Sequence, residues 1–185
     1  MVTRKDFLDR IAWAMSSVLV GNIDGEGDVQ SGLRSIKDSL RHATDAGNKT
    51  MIIGNGGSAA IASHIAIDYA KNGGFRAVAC NDLAALTCLS NDFGYEQVFA
   101  KQIEQQGRAG DVAILISSSG KSPNILLAAQ AARHARFDAI YTLSGMGADN
   151  PLRSMGHMNF YVPSDDYGIV EITHLALLHS IVSVP

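Results

Sequence analysis

A chain of 185 residues with a formal net charge of -3 and 46% hydrophobic content is long enough for one domain with a substantial core and short for two. It has no basic stripe for a nucleic-acid groove and no apolar run of membrane-spanning length, and Met1-Val2-Thr3-Arg4-Lys5 leads into an amphipathic pattern rather than a signal-peptide core. Cys80 and Cys88 sit in apolar segments without chelating spacing, which predicts buried, reduced thiols and a soluble cytoplasmic protein.

Phe7, Ile11, Met15 and Val18 recur near helical spacing, as do Leu33, Ile36, Leu40 and Ala43. They predict two leading helices, at about 4–20 and about 27–47, separated by the turn-forming run Gly21-Asn22-Ile23-Asp24-Gly25. Strands follow at about 50–54, 76–80, 111–116, 138–143 and 158–162, alternating with helices at about 58–71, 83–90, 94–106, 123–135 and 166–182. Strands apolar on both faces and separated by helices predict a parallel sheet covered on both sides. Right-handed crossovers then give a flavodoxin-like, three-layer αβα sandwich with a five-stranded parallel sheet. The whole chain reads as a single domain, with leading helices at about 4–47 and an α/β core at about 50–182. The two leading helices and the last one are apolar enough to predict an oligomer that buries the first two. Packing within one subunit gives the same pattern.

Two polar loops stand at the carboxyl ends of strands, where ligands of such sheets bind. Gly54-Asn55-Gly56-Gly57-Ser58 joins the strand Met51-Ile52-Ile53 to a helix, and Ser117-Ser118-Ser119-Gly120-Lys121-Ser122 does the same after Val112-Ala113-Ile114-Leu115-Ile116. Glycine permits close approach of a ligand to the backbone, and the first amides of a helix have no partner within it. With the helix dipole they attract an anion, so two such loops predict a phosphorylated polyhydroxy ligand. Lys121 either neutralises phosphate or is a solvated loop tip, and the serines beside it also suit helix capping.

His64 and Asp68 are four residues apart on one helix face, as an intrahelical hydrogen-bonded pair or as a ligand or acid/base pair. Glu171, His174 and His179 are ionisable groups on an otherwise apolar helix and need partners if buried. His174 and His179 point about 140° apart and so do not serve one centre. Glu171 and His179 lie about 80° apart and roughly 12 Å apart along the axis, which leaves their joint use of one metal open. Ser90-Asn91-Asp92-Phe93-Gly94-Tyr95 reads by itself as a turn and helix cap.

Together these motifs resemble sugar isomerase (SIS) domains and, within them, the phosphoheptose isomerase family. The likeness covers most of the chain, from the leading helices through Gly54-Asn55-Gly56-Gly57-Ser58, Ser90-Asn91-Asp92-Phe93-Gly94 and Ser117-Ser118-Ser119-Gly120-Lys121-Ser122 to the final helix with His179. The resemblance implies an aldose–ketose isomerase converting sedoheptulose 7-phosphate to D-glycero-D-manno-heptose 7-phosphate, in a homotetramer with active sites shared between subunits. It places Ser58, Ser117, Ser118, Ser119 and Ser122 on the phosphate, and Asn55, Gly56, Gly57, Asn91 and Asp92 along the sugar, with Glu171 also reaching the substrate. It implies a zinc ion on His64, Asp68, Glu171 and His179, and an acid/base pair of Asp68 and His179. The chain departs from the family at Asp68, where glutamate is usual, and at Glu171, where glutamine is usual. These changes keep open an isomerase of another phosphosugar and a non-catalytic SIS protein that binds a replication initiator. A sugar-phosphate sensor fused to a DNA-binding module ranks below both, because no such module accompanies the domain.

Overall fold

The computed structural model describes residues 3–22 and 25–183. The chain runs α1 (Arg4–Ser16), β1 (Leu19–Asn22), β2 (Gly25–Gly27), α2 (Val29–Asp45), β3 (Thr50–Gly54), α3 (Gly56–Lys71), β4 (Ala77–Ala79) and α4 (Leu83–Phe93). It continues with α5 (Val98–Gln106), β5 (Val112–Ser117), α6 (Pro123–His134), β6 (Ala139–Gly145), β7 (Met158–Val162) and α7 (Tyr167–Ser183). Single 3-10 turns at Tyr95–Gln97 and Pro151–Ser154 complete it.

The sheet has seven strands in the order β2-β1-β7-β6-β5-β3-β4. Strands β3 to β7 pair in parallel, with Ile114 opposite both Ile52 and Tyr141. The central strand β5 is buried over its whole length, and its side chains alternate between two apolar clusters. Val112, Ile114 and Ile116 join a cluster with residues of α1, α2, α3 and α7. Ala113 and Leu115 join another, with residues of α4, α5 and α6. That alternation is the period-2 consequence of a strand covered on both faces.

The sheet is mixed rather than the five-stranded, purely parallel sheet expected. Helix α1 stops at Ser16 instead of continuing to about 20. Leu19–Asn22 pairs antiparallel with β7, Val20 opposite Phe160, and turns back through β2. Val18 and Val20 are buried in the first cluster, so the apolar spacing that suggested a longer helix belongs to a short strand. Ile23 and Asp24 of the expected turn lie outside the described residues. A second correction concerns Ser90, Asn91, Asp92 and Phe93, which form the last turn of α4 rather than a loop. The helix ends at Gly94, whose φ of 86° suits glycine at a helix stop.

Cys80 is buried, and burial pushes its thiol up to about 12. Cys88 is exposed, contrary to expectation, with Sγ 3.6 Å from Asp92 Oδ2. Its face of α4 looks outward, and the apolar sequence around it did not reveal that. No helix among the described residues is long and apolar enough to cross a membrane.

Candidate active site

A polar cleft of about 270 Å³ opens at the carboxyl ends of β3 and β5. It is lined by Asn55, Gly56, Gly57 and Ser58 from the start of α3, by Ser117, Ser118, Ser119 and Ser122 before α6, and by Tyr167 and Glu171 from α7. Both expected loops therefore meet in one place. The helices that open here lack the side-chain cap that closes most of the others, as does α5, which continues directly from a 3-10 turn. Helices α1, α2 and α4 are capped by Thr3, Asp28 and Asp82, and Asp166 accepts from Gly168 and Ile169 at the start of α7. No side chain of the cap residue closes α3 or α6. The Gly56, Gly57 and Ser58 amides that open α3 are donors a ligand oxygen can use. Helix α6 opens instead on Pro123, which has no N–H, and its Ile125 N–H donates to the Ser122 carbonyl at 3.0 Å. The Asn124 backbone N–H is therefore its donor to the cleft.

The hydroxyls of the serine loop are not equivalent. Ser117 Oγ pairs with Ser122 Oγ at 3.1 Å, and Ser119 Oγ accepts from the Lys121 amide at 3.3 Å. Ser118 Oγ is buried with no partner, although Ser118 lines the cleft. A buried hydroxyl without a partner is costly, and an oxygen-rich ligand would satisfy it.

Helix α7 runs beside α3, so its ionisable groups meet α3 at two levels. Glu171 lies over Gly57, and a Cβ added at Gly57 would stand 2.6 Å from the Glu171 Cδ. Glycine at 57 is what lets the carboxylate settle there. Two helical turns further along, His179 reaches His64 and Asp68. His179 Nε2 and His64 Nε2 are 3.1 Å apart, and His179 Nδ1 stands 3.1 Å from Asp68 Oδ2. Asp68 Oδ1 also accepts from Asn72 Nδ2 at 2.7 Å. One ligand atom from each of His64, Asp68 and His179 lies within 4.8 Å of the others. Two imidazoles and one carboxylate, partly open to solvent, form a donor set that suits zinc with room for a further ligand.

The four-residue ligand set expected is not assembled in this chain. Glu171 is eight residues from His179, roughly 12 Å along the helix axis, and the structure seats it in the cleft instead. Asn91 and Asp92 pair with each other on the exposed end of α4 and are absent from the cleft lining. Tyr95, three residues on, does arrive, and its hydroxyl donates to Asn55 Oδ1 at 2.9 Å. His174 is buried, with Nε2 3.2 Å from the Ser144 carbonyl. Burial lowers its imidazole to about 4. It is a neutral core group, apart from the His179 cluster as its azimuth predicted.

The sequence reading missed Asn124 and Tyr167. Asn124 is 2% exposed and forms a reciprocal amide pair with Asn55, at 2.8 and 3.0 Å. The signal for it was its place two residues after Ser122, in the first turn of a helix that opens on the cleft. Tyr167 had no signal beyond its position at the start of α7.

Parallel strands ending in a cleft lined by a glycine loop and a serine loop, with a histidine–carboxylate cluster on the helices behind it, define the class. The family model for the SIS domain matches residues 26–142. The chain is 37% identical over 165 residues to the phosphoheptose isomerase of a Bradyrhizobium species, covering 84% of this chain and 81% of that protein. It is 34% identical over 183 residues to the Helicobacter pylori phosphoheptose isomerase, covering 95% and 90%. Among solved structures, the Neisseria gonorrhoeae phosphoheptose isomerase superposes with a TM-score of 0.75 at 26% identity, with 97% of each chain covered. That from Francisella tularensis superposes at 0.83 and 24% identity over 97% and 94% of the chains, a likeness of fold. The chain belongs to the phosphoheptose isomerase family of SIS-domain proteins.

Proposed function

We propose that the protein is a cytoplasmic aldose–ketose isomerase that converts sedoheptulose 7-phosphate to D-glycero-D-manno-heptose 7-phosphate. The observation that carries this reading is the meeting of His64, Asp68 and His179 on the two helices that also border the cleft. A scaffold protein has no need of such a cluster, and family membership supplies the sugar phosphate as ligand.

Phosphate binds at the serine loop, where Ser118 Oγ gains the partner it lacks and the Asn124 backbone N–H at the start of α6 adds a donor. Fixing that end orients the reacting carbons at the other, so binding energy serves positioning. An ene-diol isomerisation removes the proton from the carbon beside the carbonyl and returns one to the neighbouring carbon. His179 is assigned to proton transfer. Asp68 Oδ2 beside its Nδ1 favours the tautomer whose basic atom is Nε2. Asp68 is the second acid/base group and the orienting partner of His179. His64, Asp68 and His179 would hold a zinc ion, which when bound polarises the substrate oxygens as a Lewis acid. Tight ligation and proton transfer compete for Asp68.

The cluster and the cleft stand about two helical turns apart in one protomer, which supports a homotetramer whose active sites are completed across subunit contacts. Exposed Leu8 and Trp13 on α1 and Ile67 on α3 are among the apolar side chains available for it. Asp68 and Glu171, departing from the family's usual residues, favour as second reading an isomerase of a related phosphosugar. A coupled assay over a panel of ketose phosphates, with metal content measured on the same preparation, tests both. Preferred turnover of sedoheptulose 7-phosphate supports the first reading. Turnover of another member alone supports the second, and no turnover of any member rejects both.

A further inference from the structure

Asparagine is among the best N-cap residues, because its side-chain oxygen accepts from the second or third amide of the helix. Asn55 stands at the N-cap of α3 with the extended backbone a cap needs, φ -110° and ψ 151°, yet makes no cap bond. Its oxygen is already engaged. Oδ1 accepts from Tyr95 Oη at 2.9 Å and from Asn124 Nδ2 at 3.0 Å, which uses both lone pairs of an amide oxygen. Nδ2 donates to Asn124 Oδ1 at 2.8 Å, leaving one N–H to offer. At the α6 N-cap the Ser122 hydroxyl also makes no cap bond and pairs with Ser117 at 3.1 Å. At Asn55 a competent cap residue is diverted by its neighbours, at a helix end that faces the cleft.

We propose that Tyr95 and Asn124 are positioning residues that hold the Asn55 oxygen away from the first turn of α3, so that its amides stay available to a carbonyl or hydroxyl oxygen of the sugar. The ligand class rests on the isomerase reading above. The nearby Glu171 carboxylate makes a neutral sugar oxygen, rather than phosphate, the partner for this end. Asn55 itself then meets the sugar only as a donor, through its remaining N–H. Asn124, near the start of α6, also ties the two helix ends together, so the cleft keeps its width when a ligand leaves.

Two readouts on the full chain test this, one of them independent of turnover. Asn124→Ala and Tyr95→Phe release the Asn55 oxygen wholly or in part. Amide hydrogen exchange at Gly57 and Ser58 should then slow by about threefold or more, because a new cap protects them. KM for sedoheptulose 7-phosphate should rise about fivefold in Asn124→Ala and about twofold in Tyr95→Phe, with kcat held within twofold. In an Asn55→Ala background neither substitution should change exchange or KM further. Tyr95 is 55% exposed, so its variant folds even where Asn124→Ala does not. Unchanged exchange in Tyr95→Phe, or an equal effect of either substitution with Asn55 absent, overturns the proposal. If the wild type fails to turn over the sugar while exchange responds as stated, the isomerase reading falls and the positioning role stands.

Discussion

His174 and His179 are five residues apart on the same helix and have opposite fates. His174 is fully buried, hydrogen-bonded to a backbone carbonyl, and lowered to about 4 by loss of solvation. His179 is partly exposed and placed between a carboxylate and a second imidazole. The residue type is the same, so its surroundings decide whether it is packing or chemistry. The serine loop repeats the lesson: Ser117 is spent on Ser122, whereas Ser118 has a hydroxyl to give.

The strongest attempt to break this contrast is substitution of the two groups assigned to proton transfer. His179→Ala and Asp68→Asn should each lower kcat by about a hundredfold or more, measured in the coupled assay. His174→Gln should stay within a few-fold of wild type. Comparable losses at 174 and 179 would erase the distinction. The next largest effect is on stability. The unfolded chain protonates the His174 imidazole near 6.5 and the folded chain only near 4. Its contribution is therefore present above 6.5 and lost as pH falls through that window, by roughly 3 kcal/mol in all. Denaturant titrations from pH 7 to pH 5 should show a slope that His174→Gln flattens.

Ser118→Ala sharpens the serine comparison. It should raise KM about tenfold, the worth of a hydrogen bond to a charged group. The melting temperature should not fall, because the hydroxyl has no partner to lose. Ser119→Ala is expected to be smaller, with KM about threefold higher, since this hydroxyl is already used by the Lys121 amide. A larger effect at 119 than at 118 would reverse the assignment of the phosphate site.

The alternation of strand and helix, the two helix-opening loops and the His64–Asp68 pair were legible because each is written in short-range spacing, whereas His179, 115 residues beyond His64, was tied to that pair by the family resemblance alone. The hairpin of β1 and β2 was not. Its strands have three or four residues, and β1 is fixed by β7, far along the chain. The engagement of Asn55 was hidden for the same reason, as its partners lie 40 and 69 residues away. Spacing showed that Glu171 and His179 sit far apart along one helix. It could not show that a glycine on α3 would receive the carboxylate. Family resemblance tied both to one metal, and the packing of α3 against α7 separates them.

The seat of Glu171 over Gly57 also gives the cleft a polarity. The serine loop offers the unpartnered Ser118 hydroxyl, whereas the α3 end sets the Glu171 carboxylate beside its amides. A sugar phosphate held by its phosphoryl group at the serine loop would keep that group away from Glu171, and the reverse orientation would bring like charges together. Directional loading of this kind would select among regioisomers before any proton moved.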